Sequence, residues 1–311
     1  MQSPKIENNP LVSIIVITYN SAKYVLETLE SAKAQTYQNI ELIISDDAST
    51  DNTVEICRQW VEENKERFVR TEIITVPENT GIPANCNRGV KAAKGEWVKL
   101  IAGDDILYYS CVTTFMNSKT TNSKILLCEL IDFENDLTLN LSEQNESNNI
   151  NPLFIQAKNA QEQFIYFLKG NYIPGSATFF ERNKMLEMDL FDEEYPFVED
   201  RPLFLKYNFN NIKIEYISDV LVAHRRHEMG LTARNNVNIV PKYLIQVYKA
   251  ILYYAELNKK FIYIFNAKWH LIFFDIISKL GNQNRLCFML NQIRIKLQPI
   301  RFYNLLNKLK I

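Results

Sequence analysis

The run Leu11 to Ile17, LVSIIVI, constrains the fold more than any other stretch. It is almost unbroken in apolar, largely β-branched residues and stops at Thr18-Tyr19-Asn20. A strand half exposed to water would alternate polar and apolar positions, so this one reads as a central parallel strand buried on both faces. Parallel neighbours need crossover helices. Residues 23 to 34 supply the first, with Val25, Leu29 and Ala32 at helical spacing, and Gln35 to Asn39 lead into a second strand, IELIIS.

That strand ends in Asp46-Asp47-Ala48-Ser49-Thr50-Asp51, where Ser49 or Asp51 can cap a helix over about 52 to 64. A third strand, TEIITV, stops at Pro77. A glycine-containing loop from Asn79 and a helical stretch to Gly95 then lead into a fourth strand, GEWVKLIA, aimed at Gly103-Asp104-Asp105. Strands alternating with helices imply a doubly wound, mostly parallel α/β sheet flanked by helices, with ligands beyond the carboxyl ends of the strands. Thr18-Tyr19-Asn20, Asp46-Asp47 and Asp104-Asp105 all lie at such ends. Each pair of acids also makes a good turn, so local sequence alone leaves turn and binding site both open.

Farther on, 134 to 151 is rich in Asn, Ser and acids and reads as an exposed loop or hairpin. Residues 176 to 181 read as a strand, 192 to 200 as an acidic segment, 201 to 210 as a helix and KIEYIS as a strand, followed by His224-Arg225-Arg226-His227. From Pro241 onward the pattern is helical, aromatic and basic.

The 311 residues, 47% of them apolar, can bury a substantial core. The formal net charge of -1 hides an asymmetry: residues 241 to 311 carry 12 Lys and Arg against Glu256 and Asp275. The remainder is acidic and would repel phosphate, which argues against nucleic acid as a partner. Cys57, Cys86, Cys111, Cys128 and Cys287 show no paired or metal-ligand spacing and read as reduced thiols. With no basic-then-apolar layout at the N-terminus, the expected location is cytoplasmic, or peripheral on the cytoplasmic membrane face.

The three strand-end clusters, in their order and spacing from Pro10 to Thr232, resemble a family 2 glycosyltransferase of the GT-A fold. The resemblance implies a catalytic domain over 10–235, with a nucleotide-binding half (10–107) and an acceptor half (108–235), followed by a helical extension over 236–311. VSIIVITYN would cradle the donor nucleotide through Thr18 and Tyr19, and Asp47 would accept a hydrogen bond from the base. ENTGIPANCNRG places Asn87 in the donor site; many members carry Arg where this chain has Cys86, and Arg88 or Asn85 are candidates to replace it. Asp104-Asp105 stands at the family's metal motif, with Asp105 the ligand of Mn2+ or Mg2+ and Asp104 facing the ribose or sugar. Hard carboxylate oxygens suit such ions, which neutralise a departing diphosphate.

Val198-Glu199-Asp200-Arg201 resembles the family's acceptor-side motif and makes Asp200 the general base of an inverting single displacement. Arg225 and His227 match an Arg-x-His segment, with Arg225 to contact the diphosphate and His227 to join the metal. His270, on an aromatic stretch, reads as structural. The implied activity is transfer of a hexosyl or N-acetylhexosaminyl group from a nucleotide-sugar, UDP-linked by preference, to a glycan or lipid-linked glycan, in bacterial surface polysaccharide synthesis. A noncatalytic nucleotide-sugar-binding relative would keep Tyr19, Asp47 and Asp105 but lack the base. The extension reads equally as helices on an anionic membrane surface or as a packed helical subdomain.

Overall fold

The computed structural model describes residues 9–134, 150–227, 240–282 and 284–309, with side chains as far as 304. Most of the segment 134–151, and Gly230 and Thr232, fall outside them. In chain order the elements begin with β1 (Val12–Thr18), α1 (Val25–Lys33), β2 (Ile40–Asp46), α2 (Thr53–Asn64), β3 (Arg70–Thr75) and α3 (Ile82–Ala92). Next come β4 (Trp97–Ala102), β5 (Ile106–Leu107), α4 (Cys111–Ser118), β6 (Ile125–Phe133), α5 (Pro152–Ile155) and α6 (Ala160–Leu168). After β7 (Thr178–Glu181), α7 (Arg182–Glu187), α8 (Asp200–Phe209) and β8 (Glu215–Arg225), the chain ends in α9 (Lys242–Leu257), α10 (Phe261–Lys279), α11 (Arg285–Lys296) and α12 (Pro299–Leu309).

Two compact units result. The first joins the chain through Asn151 with Pro174–Phe191 and Ile214–Arg226; the second joins Pro152–Ile173, Asp192–Lys213 and His227–Ile311. This division departs from the boundary expected at 235/236, because α6 and α8 join the C-terminal helices in one helical unit.

The first unit holds one eight-stranded sheet in the order β3-β2-β1-β4-β7-β6-β8-β5. β1 lies parallel between β2 and β4, in register from Val12 against Ile40 and Trp97. All seven residues of β2 are buried, and so are all but Ile17 of β1, as their apolar runs require. The right-hand part is mixed: β7 is antiparallel to both β4 and β6, and β8 parallel to β6. Strand β6 was not legible as such, since Glu129 and Asp132 interrupt its apolar run and its partners lie far away in sequence. Strand β8 also runs beyond the expected KIEYIS and carries His224 and Arg225 on the strand itself.

The sheet separates structural from functional acids. Glu41 at the start of β2 is wholly buried and accepts from Ser13 Oγ at 2.6 Å, Gly95 N at 2.9 Å and Arg70 Nη1 at 2.8 Å. A side chain at Gly95 would collide with the Ser13 backbone nitrogen, so glycine there lets the α3–β4 turn reach this carboxylate. The site acids lie at the opposite ends of the strands.

In the helical unit, Val240, Phe274, Ile277 and Cys287 form a core with Leu244, Tyr248 and Leu271 packed against it. His270 is buried there, its Nε2 meeting Gln298 Oε1 at 3.2 Å and its Nδ1 meeting Arg294. Burial, reinforced by the Arg294 charge, pushes its pKa down to about 3 and keeps it neutral.

Candidate active site

At the carboxyl ends of β1 and β2, two loops are cross-linked. Thr18 Oγ1 donates to Asp46 Oδ2 at 2.8 Å, and Asp46 also accepts from Ser49 N at 2.8 Å. Asn20 N donates to Ser49 Oγ at 2.8 Å, and Asn20 Oδ1 accepts from Thr50 N at 2.8 Å. Asn20 and Ala48 hold left-handed backbone conformations, with φ of 53° and 65°. Asp51, one position before the Asn52 N-cap of α2, accepts from Thr53 N at 3.0 Å and so satisfies a first-turn N–H. Tyr19, at 50% exposure, stands out of this rigid frame with its ring available.

Asp47 is buried and held from three sides. It accepts from Thr80 Oγ1 at 2.7 Å, Gly81 N at 2.9 Å and Arg88 Nη2 at 2.6 Å. Arg88 also reaches Asn85 Oδ1 at 3.1 Å, so the cation nearest the expected base contact is Arg88, while Cys86 is buried. The charge sits two positions after the Cys86 position and on the same acid that was expected to meet the base.

Asn87, expected in the donor site, meets the Phe191 backbone. Its Nδ2 donates to Phe191 O and its Oδ1 accepts from Phe191 N, both at 2.9 Å, and the residue is buried. Both ends of the amide clamp the Phe191 backbone and so hold that loop.

Gly103 N donates to Ile17 O at 2.9 Å, bringing the end of β4 against the end of β1. A Cβ on Gly103 would lie 2.8 Å from Thr18 Cγ2 and 3.1 Å from Ser21 Oγ, so only glycine allows this approach. Asp104 is half-buried and Asp105 buried. Thr28 Oγ1 on α1 donates to the Asp105 carbonyl at 2.7 Å, and the Arg225 main-chain N–H donates to Asp105 Oδ1 at 2.9 Å. Burial, with the Asp104 charge adding to it, raises the Asp105 pKa. Behind it on β4, the wholly buried Lys99 donates to the carbonyls of Leu100 and Thr178 at 3.2 Å and to Ser176 O.

Arg225, expected at the diphosphate, is built into the framework beneath the two acids. Its guanidinium lies between the rings of Tyr24 and Phe133, 4.5 and 4.4 Å from their centroids, and donates to Glu27 Oε2 at 2.5 Å and to the Asp104 carbonyl at 2.9 Å. Its side chain is only 2% exposed. It is a strut that fixes the Asp104–Asp105 backbone against α1 and β8. Its neighbours pair elsewhere: His224 Nδ1 meets Asp132 Oδ1 at 2.9 Å and Arg226 Nε meets the same oxygen at 3.0 Å. Glu27 and Asp132 take part in the site framework, yet an isolated acid on a helix or strand gives no signal in sequence.

Two adjacent carboxylates, one raised in pKa by burial and by the other's charge, suit a hard divalent cation, which relieves both costs. No group of three His, Cys, Asp or Glu that could hold a metal ion gathers among the described residues. His227 belongs to the second unit.

The second unit carries Glu199 and Asp200 at the start of α8. Asp200 Oδ1 accepts from Arg201 N at 2.5 Å. Burial, then the Asp200 charge, pushes the Glu199 pKa up to about 8. The buried Arg201 guanidinium lies 6.0 Å from the Tyr172 ring centroid.

Polar clusters at three parallel strand ends, two of them acidic, make up the candidate site on a GT-A-like α/β sheet. A model of the family described as "Glycosyl transferase family 2" matches residues 13–184, more than half of the chain, and the chain belongs to this family. It is similar to glycosyltransferase GlyG of Streptococcus pneumoniae, 40% identical over 106 residues that cover 33% of each chain. It is also similar to an uncharacterized glycosyltransferase of Rickettsia prowazekii, 28% identical over 229 residues, covering 72% of this chain and 66% of the relative. The chain thus spans a third to about two thirds of these relatives' lengths. Among solved structures, Staphylococcus aureus TarS in complex with UDP-GlcNAc has a TM-score of 0.59 at 20% identity, covering 78% of this chain and 66% of that one. Mannosyltransferase PcManGT of Pyrobaculum calidifontis, in complex with GDP-Man and Mn2+, has a TM-score of 0.57 at 16% identity, covering 83% and 66%. At such identities these two likenesses speak for the fold.

Proposed function

We propose that the protein is an inverting, metal-dependent glycosyltransferase. It moves a hexosyl or N-acetylhexosaminyl group from a nucleotide-sugar, by preference UDP-linked, to a hydroxyl of a glycan or lipid-linked glycan in bacterial surface polysaccharide synthesis. The observation that carries this reading is the convergence of Thr18–Tyr19, Asp47 and Asp104–Asp105 at neighbouring ends of β1, β2 and β4. The UDP-GlcNAc complex of TarS and the GDP-Man and Mn2+ complex of PcManGT support a nucleotide-sugar donor and a divalent ion.

In this reading Tyr19 stacks on the base, and Asp47, an acceptor-only group, takes the imide N–H of uracil. Asp105, with Asp104 beside it and His227 as a further ligand, holds Mn2+ or Mg2+, which supplies charge neutralisation to the departing diphosphate. Asp200 takes the acceptor hydroxyl proton; a base with no protein nucleophile makes the displacement single and inverting. Glu199, held protonated at neutral pH, leaves Asp200 as the ionised member of the pair. The basic, aromatic C-terminal segment supports a position at the cytoplasmic membrane face, where a lipid-linked acceptor would be met.

The test is a thermal-shift screen of UDP-, GDP- and dTDP-sugars with and without Mn2+, repeated on Asp105→Ala. Stabilisation by one nucleotide class, strengthened by Mn2+ and lost in the variant, is expected; an unchanged response of Asp105→Ala sinks the site assignment.

A further inference from the structure

Helix α10 is buried on one side and apolar on the other. Asn266, Ala267, His270, Phe274 and Ile277 face inward, where Asn266 Oδ1 accepts from Ile300 N at 3.3 Å and Trp269 Nε1 donates to Arg294 O at 3.1 Å. Outward, Phe261, Phe265 and Ile272 are 77%, 66% and 58% exposed. With Lys268, Ile276 and Lys279 they recur at spacings of three and four, so they line one stripe of the helix. A soluble surface rarely aligns large side chains in this way.

The charge pattern says what covers the stripe. The only two acids of residues 241 to 311 meet lysines: Glu256 pairs with Lys268 at 3.1 Å and Asp275 with Lys279 at 2.7 Å. The segment's 12 basic residues leave it about ten charges positive. A second copy laid on the same face would bring two such segments together, whereas an anionic lipid surface complements the charge and accepts the aromatic rings at its headgroup boundary.

By length and composition α10 is the one helix among the described residues that could cross a membrane. Its inner face argues otherwise. His270 is tied to Arg294 and Gln298, and Asn266 to Ile300, so a spanning α10 would strip buried polar groups from partners on α11 and near α12. We propose that α10 lies in the plane of an anionic lipid surface, with Phe261, Phe265, Ile272 and Ile276 inserted below the headgroups and Lys268 and Lys279 at their level. This deepens, and for its biological setting rests on, the reading of a membrane-linked acceptor.

Full-length protein is mixed with phosphatidylcholine vesicles with and without phosphatidylglycerol, alongside a triple variant Phe261→Ser, Phe265→Ser, Ile272→Ser. Binding only to the phosphatidylglycerol vesicles, weakened by salt, released by alkaline carbonate and reduced about tenfold or more in the variant, is expected. Unchanged partitioning of the variant, retention through carbonate, or a dimer in solution abolished by the same substitutions would overturn the proposal. Nucleotide-induced thermal shift, read on the same samples, separates the two readings. Vesicle binding without any nucleotide response defeats the glycosyltransferase reading alone, and a nucleotide response without vesicle binding defeats this one alone.

Discussion

The main-chain N–H of Arg225 donates to the Oδ1 of Asp105 at 2.9 Å, while the same residue's guanidinium holds the Asp104 carbonyl at 2.9 Å and Glu27 at 2.5 Å. One residue at the end of β8 thus sets both acids of the proposed metal site and ties them to α1. Its value to the proposed function is geometric: there a carboxylate would have to stand where the ion and the diphosphate meet, and a small displacement would weaken both.

Arg225→Met should therefore destabilise the fold by on the order of 3 kcal/mol, since it leaves Glu27 without its cation and a buried carbonyl without its donor. Arg225→Lys restores charge but not the planar stack between Tyr24 and Phe133, so it should recover stability only in part. Glu27→Gln keeps one acceptor and should cost less than either. Chemical denaturation gives the ranking, and Mn2+ titration followed by electron paramagnetic resonance should show weaker binding in the same order.

Asp105 predicts a pH dependence whose sign can be worked out. Its folded pKa is raised, to about 7 from an ordinary value near 3.8, so the folded state holds the proton more tightly than the unfolded chain. Stability from this group is present in full below about 4 and is lost as pH rises toward 7. Divalent cations need the carboxylate, so their stabilising effect should grow over the same rise. Melting temperatures from pH 5 to 8, with and without Mn2+, should diverge in wild type and run parallel in Asp105→Asn.

Glu199 and Asp200 should separate cleanly. Glu199 has its folded pKa raised from 4.5 to about 8, so Glu199→Gln mimics the form present at pH 7 and should leave most activity. The same variant should gain stability over wild type as pH rises from about 4.5 toward 8, because there the unfolded chain releases the Glu199 proton while the folded state keeps it, and the advantage should level off above 8. Asp200→Asn should lower turnover ~10²–10⁴-fold with the nucleotide-induced thermal shift intact. An Asp200→Asn enzyme of near-normal rate would remove it as the base.

Asn87 and Asp47 should respond in opposite ways. Asn87→Ala breaks both bonds to Phe191 and should cost about 1–3 kcal/mol of stability while nucleotide affinity holds nearly constant. Asp47→Asn should abolish discrimination for uridine nucleotides. Isothermal titration with UDP on both variants decides the comparison.

Gly103→Ala should displace the Thr18 loop, because its Cβ would meet Thr18 Cγ2 at 2.8 Å. A loss of about 1–3 kcal/mol is expected, with weaker nucleotide binding as its functional trace. Unfolding and UDP titration of this one variant measure both.

What the sequence determined by itself was the left side of the sheet and the acids at its strand ends. The apolar run of β1, and those of β2 and β4 each broken by a single charged residue, Glu41 and Lys99, read as buried parallel strands, and a run that stops at Asp-Asp shows where the chain turns. These are local signals, readable within ten residues. The tertiary structure decided what depends on distant partners. Strand β6 takes shape by pairing with β7 and β8, far along the chain. Arg225 became a strut because Glu27, 198 positions away, stands beside it, and Asn87 became a clamp because Phe191 lies 104 positions on. The same residue types with water as their neighbour would have been free to meet a ligand. The extension was open between a packed subdomain and a membrane surface, and the structure shows α10 packed on its inner face and apolar on its outer one, a division that helical periodicity permits but only packing assigns.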